Sequence, residues 1–168
     1  MSNRVKTTDL ELQDKIVYVG RTAKVVKGGR RFNFSAIVVM GDGNGHIGYG
    51  LGKASEVNSA VDKAKDAARR NIVKVTLQKG TLPHEIIGRY GASKVLFRPA
   101  SAGTGVIAAG AIRAVLELCG VQDVLTKSLG STNPHNSVKA AINGLMNLEN
   151  VESVARRRGI SLEKVIHG

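Results

Sequence analysis

From Gly45 to Gly52 the chain reads Gly-His-Ile-Gly-Tyr-Gly-Leu-Gly, with glycine at every second position from Gly48 onward. Successive side chains of a strand point to opposite faces. One face of this strand is therefore almost bare, and another backbone, or a nucleic acid, can lie directly against it. The spacing that follows predicts a helix from about Ser55 to Asn71. Val57, Ala60, Val61, Ala64 and Ala68 form one stripe, and Lys63, Asp66 and Arg70 lie elsewhere. Two β-rich segments, about 15 to 26 and 31 to 41, precede the glycine strand. Three antiparallel strands covered by one amphipathic helix make a small α+β unit.

The first two of those strands meet at a basic turn. Arg21, Thr22, Lys24, Lys27, Arg30 and Arg31 surround the pair Gly28-Gly29, giving five positive charges and no negative one. Glycine tolerates the backbone angles of a tight hairpin, so the pair closes a cationic tip suited to a phosphate backbone. The whole chain has 25 Lys and Arg against 13 Asp and Glu, a formal net charge of +12. Net charge alone reports on solubility and association; its clustering at one turn is what points to a polyanionic partner. The first half is the more basic, with 15 basic and 7 acidic residues up to residue 84, against 10 and 6 beyond it.

With 42% hydrophobic residues in 168, the chain suits one good core or two small ones. No apolar run approaches the roughly 20 residues that span a bilayer, and the N-terminal residues lack the apolar segment of a signal peptide. The expectation is a cytoplasmic protein with no membrane partner. Cys119, the only cysteine, lies in the apolar run Ala114-Val115-Leu116-Glu117-Leu118 and reads as a buried structural thiol.

Three segments follow from these patterns: a polar arm at 1–11, a basic α+β unit at 12–76 and a C-terminal unit at 77–168. A strand-like stretch at 72–77 leads to a boundary turn at 79–83, and the last unit then has strands near 84–90 and 94–98. Then come the loop Arg98 to Gly105, a helix at about 106–118, a strand at about 121–127, a loop from Leu129 to Pro134 and a helix at about 135–147. This βαβα order ends in a helical tail around Arg156-Arg157-Arg158-Gly159 and Ile160 to Ile166. Asn133 before Pro134 marks a helix start by the N-cap and first-turn proline rules.

Few residues of the chain are spaced for chemistry. Gly103, Gly105 and Gly110 do not have dinucleotide spacing, and Asp123 is the nearest candidate for the ribose-binding acid. A loop feeding helix amides still suits an anion such as an RNA phosphate. The Gly52-Lys53 pair lacks the first glycine and the Ser/Thr of a Walker loop, because Ile47 and Ala54 stand there. His46, His84, His135 and His167 are far apart, with no Cys or carboxylate at ligand spacing, so no metal, cofactor or small-molecule substrate is expected. No acid–base or nucleophile constellation stands out, and an enzyme is not expected. At 4% aromatic content a base-stacking platform is disfavoured. Phe32 and Phe34 share a strand face and read as core.

Several stretches together resemble the bacterial small ribosomal subunit protein five family. They are Val26 to Phe32, Gly41-Asp42-Gly43-Asn44-Gly45 to Gly52-Lys53-Ala54, Arg69-Arg70-Asn71, Pro99-Ala100-Ser101 with Gly103-Thr104-Gly105, Arg113 to Glu117, and Gly130-Ser131-Thr132-Asn133-Pro134. The likeness runs from about residue 10 to the end. Ala102 is a departure, since the family often carries an acidic residue there. The resemblance implies an N-terminal domain similar to double-stranded RNA binding domains and a C-terminal βαβ domain, both on 16S ribosomal RNA. It implies that the protein braces the head of the small subunit against its body, near the path by which messenger RNA enters. It also implies contact with small-subunit proteins four and eight, with Gly105 and Arg113 by the protein-four interface that influences decoding accuracy. The hairpin Thr22 to Arg31 would enter the RNA near the spectinomycin site. With the basic tip, Asn44, Lys53, Arg69, Arg70, Ser131, Thr132 and Asn133 complete the candidate RNA-binding set. A free-standing RNA chaperone or regulatory RNA binder would share the charge and the first domain.

Overall fold

A computed structural model describes residues 10–167; the expected arm at 1–11 lies almost wholly outside the described residues. The chain forms two α+β domains. In the first, β1 (Gln13–Val26), β2 (Gly29–Gly41), β3 (His46–Ala54) and a short β4 (Val73–Lys74) make an antiparallel sheet in that order, with α1 (Val57–Arg70) between β3 and β4. The second has β5 (Ile86–Tyr90), β6 (Ser93–Pro99), β7 (Val106–Ile107), α2 (Gly110–Cys119), β8 (Val124–Gly130), α3 (Pro134–Met146), α4 (Val151–Arg158) and α5 (Leu162–His167). Its sheet order is β5-β6-β8-β7, and only the β7–β8 pair is parallel, joined through α2 as a βαβ crossover.

The glycine strand does what its bareness allows. A Cβ built on Gly48, Gly50 or Gly52 would lie 2.7, 2.0 and 1.9 Å from the backbone oxygens of Ala68, Ala64 and Ala60. Helix α1 therefore runs directly over the β3 backbone, contributing Ala60, Val61 and Ala64 to a small core with Ala36 and Val38 of β2. The bare face belongs to a helix, not to a nucleic acid. The opposite face of the same sheet, through Ile37, Val39 and Ile47, joins the larger core built by Val95 and Phe97 of β6, Val115 and Leu116 of α2, and Val138 and Ile142 of α3. The first sheet is thus sandwiched between its own helix and the second domain.

Several boundaries differ from the sequence expectation, each for a local reason. The strand expected at 72–77 pairs as a strand only at Val73–Lys74, with one further bond in the same register from Val75 N–H to Gly45 O (2.7 Å). The helix expected from 106 begins at Gly110: Val106 and Ile107 are taken by pairing with β8, while Gly105 N–H donates to the Asp123 carboxylate (2.8 Å). The loop therefore feeds a strand, not helix amides, and Asp123 anchors it. The strand expected at 121–127 runs instead from Val124 to Gly130, since the N–H groups of Gln122 and Asp123 both donate to Gly80 O. The tail is two helices divided at Gly159, φ +65°. Asn133 caps α3 as expected, its side-chain oxygen accepting from His135 N–H at 3.1 Å.

Cys119 is fully buried, and burial, with the charge of Asp42 nearby, pushes its thiol up to about 12; it is structural. Asp42 itself sits where burial opposes ionisation, yet N–H donation from Asn44, the His46 side chain at 2.6 Å and His46 N–H together hold its carboxyl below the ordinary range. The loop it organises is tied to the end of α2 by Gly43 N–H to Leu118 O and Gly45 N–H to Cys119 O, both 2.9 Å.

Gly50→Ala forces the helix off the strand and is expected to cost about 3 kcal/mol, the upper part of the overpacking range. Gly28→Ala, with no atom within 4 Å of the new Cβ, is expected to change stability by less than about 0.5 kcal/mol. Chemical denaturation of both variants checks the contrast; equal losses would mean that the close approach is not what holds α1.

Candidate nucleic-acid interface

The pairing of β2 with β3 stops at Phe34 and Ala54, but the pairing of β1 with β2 continues to Val26 and Gly29. The five residues Gly29–Asn33 and their β1 partners project as a two-stranded ribbon roughly 17 Å beyond the sheet, at about 3.3 Å per residue. Lys27 and Gly28 form the turn, and Gly29 takes φ +136°, which a side chain would strain. Between Asp14 and Asp42 the chain has no carboxylate. Arg21, Lys24, Lys27, Arg30 and Arg31 are all exposed, and among the described residues none enters an ion pair.

The register sorts these side chains onto two faces. Thr22, Lys24, Arg31 and Asn33 share the side of the second domain; Arg21, Ala23, Val25, Arg30 and Phe32 share the other. Phe32 is not core: it is 47% exposed, with the Arg21 guanidinium 3.7 Å from its ring centroid. It lies on the ribbon beyond the end of α1, so only Phe34, half-buried, packs against the small core. The stacked pair holds Arg21 over the ring by cation–π attraction and leaves its N–H edge free to donate.

On the second-domain side, the ribbon runs into a groove. Lys53 of β3 pairs with Ser35 of β2, and the start of α3 brings Asn133 and His135 beside them. Thr22 Oγ1 donates to Asn33 O at 3.1 Å and Ser35 Oγ to Gly20 O at 3.4 Å. Ser131 and Thr132 precede the α3 cap, where Ser131 Oγ accepts from Asn133 N–H at 3.3 Å. Two domains therefore line one groove with Thr22, Ser35, Lys53, Asn133 and His135, with Ser131 and Thr132 just ahead of Asn133 in the chain, and the adjoining ribbon carries Arg21, Lys24, Lys27, Gly28, Gly29, Arg30 and Arg31 on its two faces and its turn.

The structure does not bring every candidate there. Asn44, Arg69 and Arg70 lie at the opposite end of the sheet, because β3 runs from His46 to Ala54 toward the ribbon while α1 runs back above it. Asn44 lines a separate groove of about 450 Å³ with Lys74, Thr76 and Asn150. Gly105 is pinned at the head of β7 by Asp123. Arg113 donates to Glu117 at 2.8 Å, and Glu117 accepts at 2.8 Å from Lys15 of β1, so this arginine completes a bridge between the domains. Sequence reasoning missed Tyr18, Ser35 and His135. A bulge between Ile16 and Tyr18 turns Tyr18 toward α3, its ring 5.6 Å from that of His135, edge to face; nothing local in the sequence signals that meeting.

Residues 12–76 match the model of the ribosomal protein S5 N-terminal domain, and residues 88–158 match that of its C-terminal domain. The chain belongs to the ribosomal protein S5 family. Among its relatives, the small ribosomal subunit protein uS5 of Syntrophobacter fumaroxidans is 54% identical over 161 residues, covering 96% of this chain and 97% of the relative. That of Salinibacter ruber is 56% identical over 155 residues, covering 92% and 89%, and that of Bacteroides thetaiotaomicron 54% over 169, covering 100% and 98%. The S5 family is one of ribosomal structural proteins rather than enzymes.

Hydrogen bonds from Lys15 and then Arg113 hold the Glu117 carboxyl below its ordinary range. A depressed folded-state value means that the bridge contributes above the unfolded glutamate range near pH 4.5 and is lost as pH falls through the lower folded value. All three side chains are more than a third exposed, so Glu117→Gln is expected to cost under about 1 kcal/mol at neutral pH and nothing in strong acid. Denaturation midpoints across pH 2 to 7 check this; a constant difference would mean that Glu117 is not held by charge.

Proposed function

We propose that this protein is a structural component of the small ribosomal subunit that docks on 16S ribosomal RNA through the ribbon and the groove at its base. The observation that carries the reading is the ribbon itself: five cations, without a carboxylate partner among the described residues, held on a two-stranded extension whose turn is Lys27-Gly28 followed by Gly29. A-form RNA hides its base edges in a deep groove, so shape, phosphates and 2′-hydroxyls are what such a surface reads. Lys and Arg supply the affinity, and the glycine tip lets the backbone come close. The names of the relatives, all small ribosomal subunit proteins, support the same assignment.

Within the subunit, the reading places the first domain near the path of incoming messenger RNA, bracing head against body. The second domain meets proteins four and eight there, and Gly105 and Arg113 act on decoding accuracy. Arg113 could do so through Glu117 and Lys15, by setting how the two domains sit against each other. Location follows: the cytoplasm, in the ribosome.

Lys27→Ala with Arg30→Ala is expected to make the fall of log affinity with log salt shallower by about 1 to 2, since each phosphate contact contributes about 0.7 to 0.9. An unchanged slope, measured on 16S ribosomal RNA, would show that the tip is not at the RNA. Sedimentation of a cell extract at moderate and high salt gives the wider test. Stoichiometric recovery with the small subunit at both salts is expected; recovery at the top of the gradient would leave a free-standing RNA chaperone or regulatory RNA binder instead.

A further inference from the structure

The groove where the two domains meet holds a titratable ring placed where a phosphate would need it. Two adjoining depressions of about 390 and 370 Å³ share Thr22, Ser35, Asn133 and His135. The His135 ring is half-buried, packed edge to face on Tyr18 at 5.6 Å. Of the groups around it, β1 offers Tyr18 and Arg21, β2 only the Ser35 hydroxyl, β3 Lys53 and α3 Lys139; none of these is a carboxylate. In the free protein, burial first and then Lys139 and Lys53 hold His135 below its ordinary value, so the ring is neutral at pH 7. An anion in the groove reverses the balance, because it neutralises the lysines and gives the imidazolium a partner.

We propose that an RNA backbone phosphate seats in this inter-domain groove against Lys53 and His135, and that its binding draws a proton onto His135, so that RNA affinity rises as pH falls. This rests on the RNA-binding reading above, and it adds to it a specific contact and a proton. The phosphate is held by the Lys53 ammonium from one domain and by the His135 ring and the Asn133 side-chain N–H from the other, while the Thr22 and Ser35 hydroxyls, which donate to Asn33 O and Gly20 O, line the groove beside it. Docking on RNA therefore also fixes the domains against each other. With the bound value above the free one, affinity gains up to tenfold for each pH unit between the two. The sign for the free fold is the reverse: a histidine held below its unfolded value makes the fold less stable as pH falls through about 6.5.

The test measures affinity of the full chain for 16S ribosomal RNA at pH 5.5, 6.5 and 7.5 and constant ionic strength, for the natural sequence, His135→Gln and His84→Gln. A three-fold or greater rise in affinity between pH 7.5 and 5.5 is expected for the natural sequence and His84→Gln, with His135→Gln flat. A second readout needs no variant: the His135 ring resonances, titrated by NMR with and without RNA, are expected to shift their midpoint upward by about one pH unit on binding. RNA binding that is salt-dependent but equally strong at all three pH values, or a pH dependence that survives His135→Gln, or an unmoved midpoint, would overturn the proton-linked site while leaving the ribbon in place. Absence of any salt-dependent binding would remove both readings.

Discussion

The contact between helix α1 and the naked backbone of β3 sets the geometry of everything else. Because Gly48, Gly50 and Gly52 present no side chains, the backbone oxygens of Ala60, Ala64 and Ala68 come to distances that a Cβ would already overfill. The sheet then needs no thick layer of side chains on that face, and a core of five small residues suffices there. The hydrophobic bulk of β2 is spent on the opposite face, where Ile37 and Val39 reach the second domain. One strand's choice of glycine thus decides which face becomes an internal seam and which becomes a domain contact.

That second contact gives the ribbon its support. The larger core takes residues from both domains, and backbone bonds from Gly43 and Gly45 to the end of α2 close the seam at one end of the sheet. Gly120 cannot carry a side chain there, since its Cβ would lie 1.9 Å from Gly43 O. At the other end the sheet simply outruns its neighbours. The ribbon has water on both faces, so cations, threonine and asparagine dominate it, Val25 stays exposed, and its one aromatic ring recruits Arg21 instead of a core.

The elements built by strong periodicity were legible: the three long strands, α1 and α3 stand close to where alternation and helical stripes put them, and the Asn133-Pro134 start is correct to the residue. The misplacements arose where a long-range partner outbid local preference. Val106 and Ile107 have a helical continuation in sequence, but β8, seventeen or more residues away, offers them a parallel ladder. Asp123 looked like a failed nucleotide ligand and is a loop anchor. The basic tip was readable because charge clustering is local. The groove was not, because Lys53 and His135 are neighbours only after the two domains pack, and no window of sequence contains both.

A surface assembled this way carries its own discrimination. Unpaired cations on a ribbon attract any polyanion, and their contribution is screened by salt. The groove is different in kind: it exists only when both domains are in register, and it sets the Asn133 amide and the His135 imidazole beside Lys53. On the proposed RNA-binding reading, long-range attraction by the ribbon and short-range fit in the groove act in sequence on the same RNA. The first would set the rate of encounter, and the second would select a backbone whose curvature delivers a phosphate to the base of the ribbon. On that reading a polyanion of the wrong shape engages the tip alone and leaves with the salt.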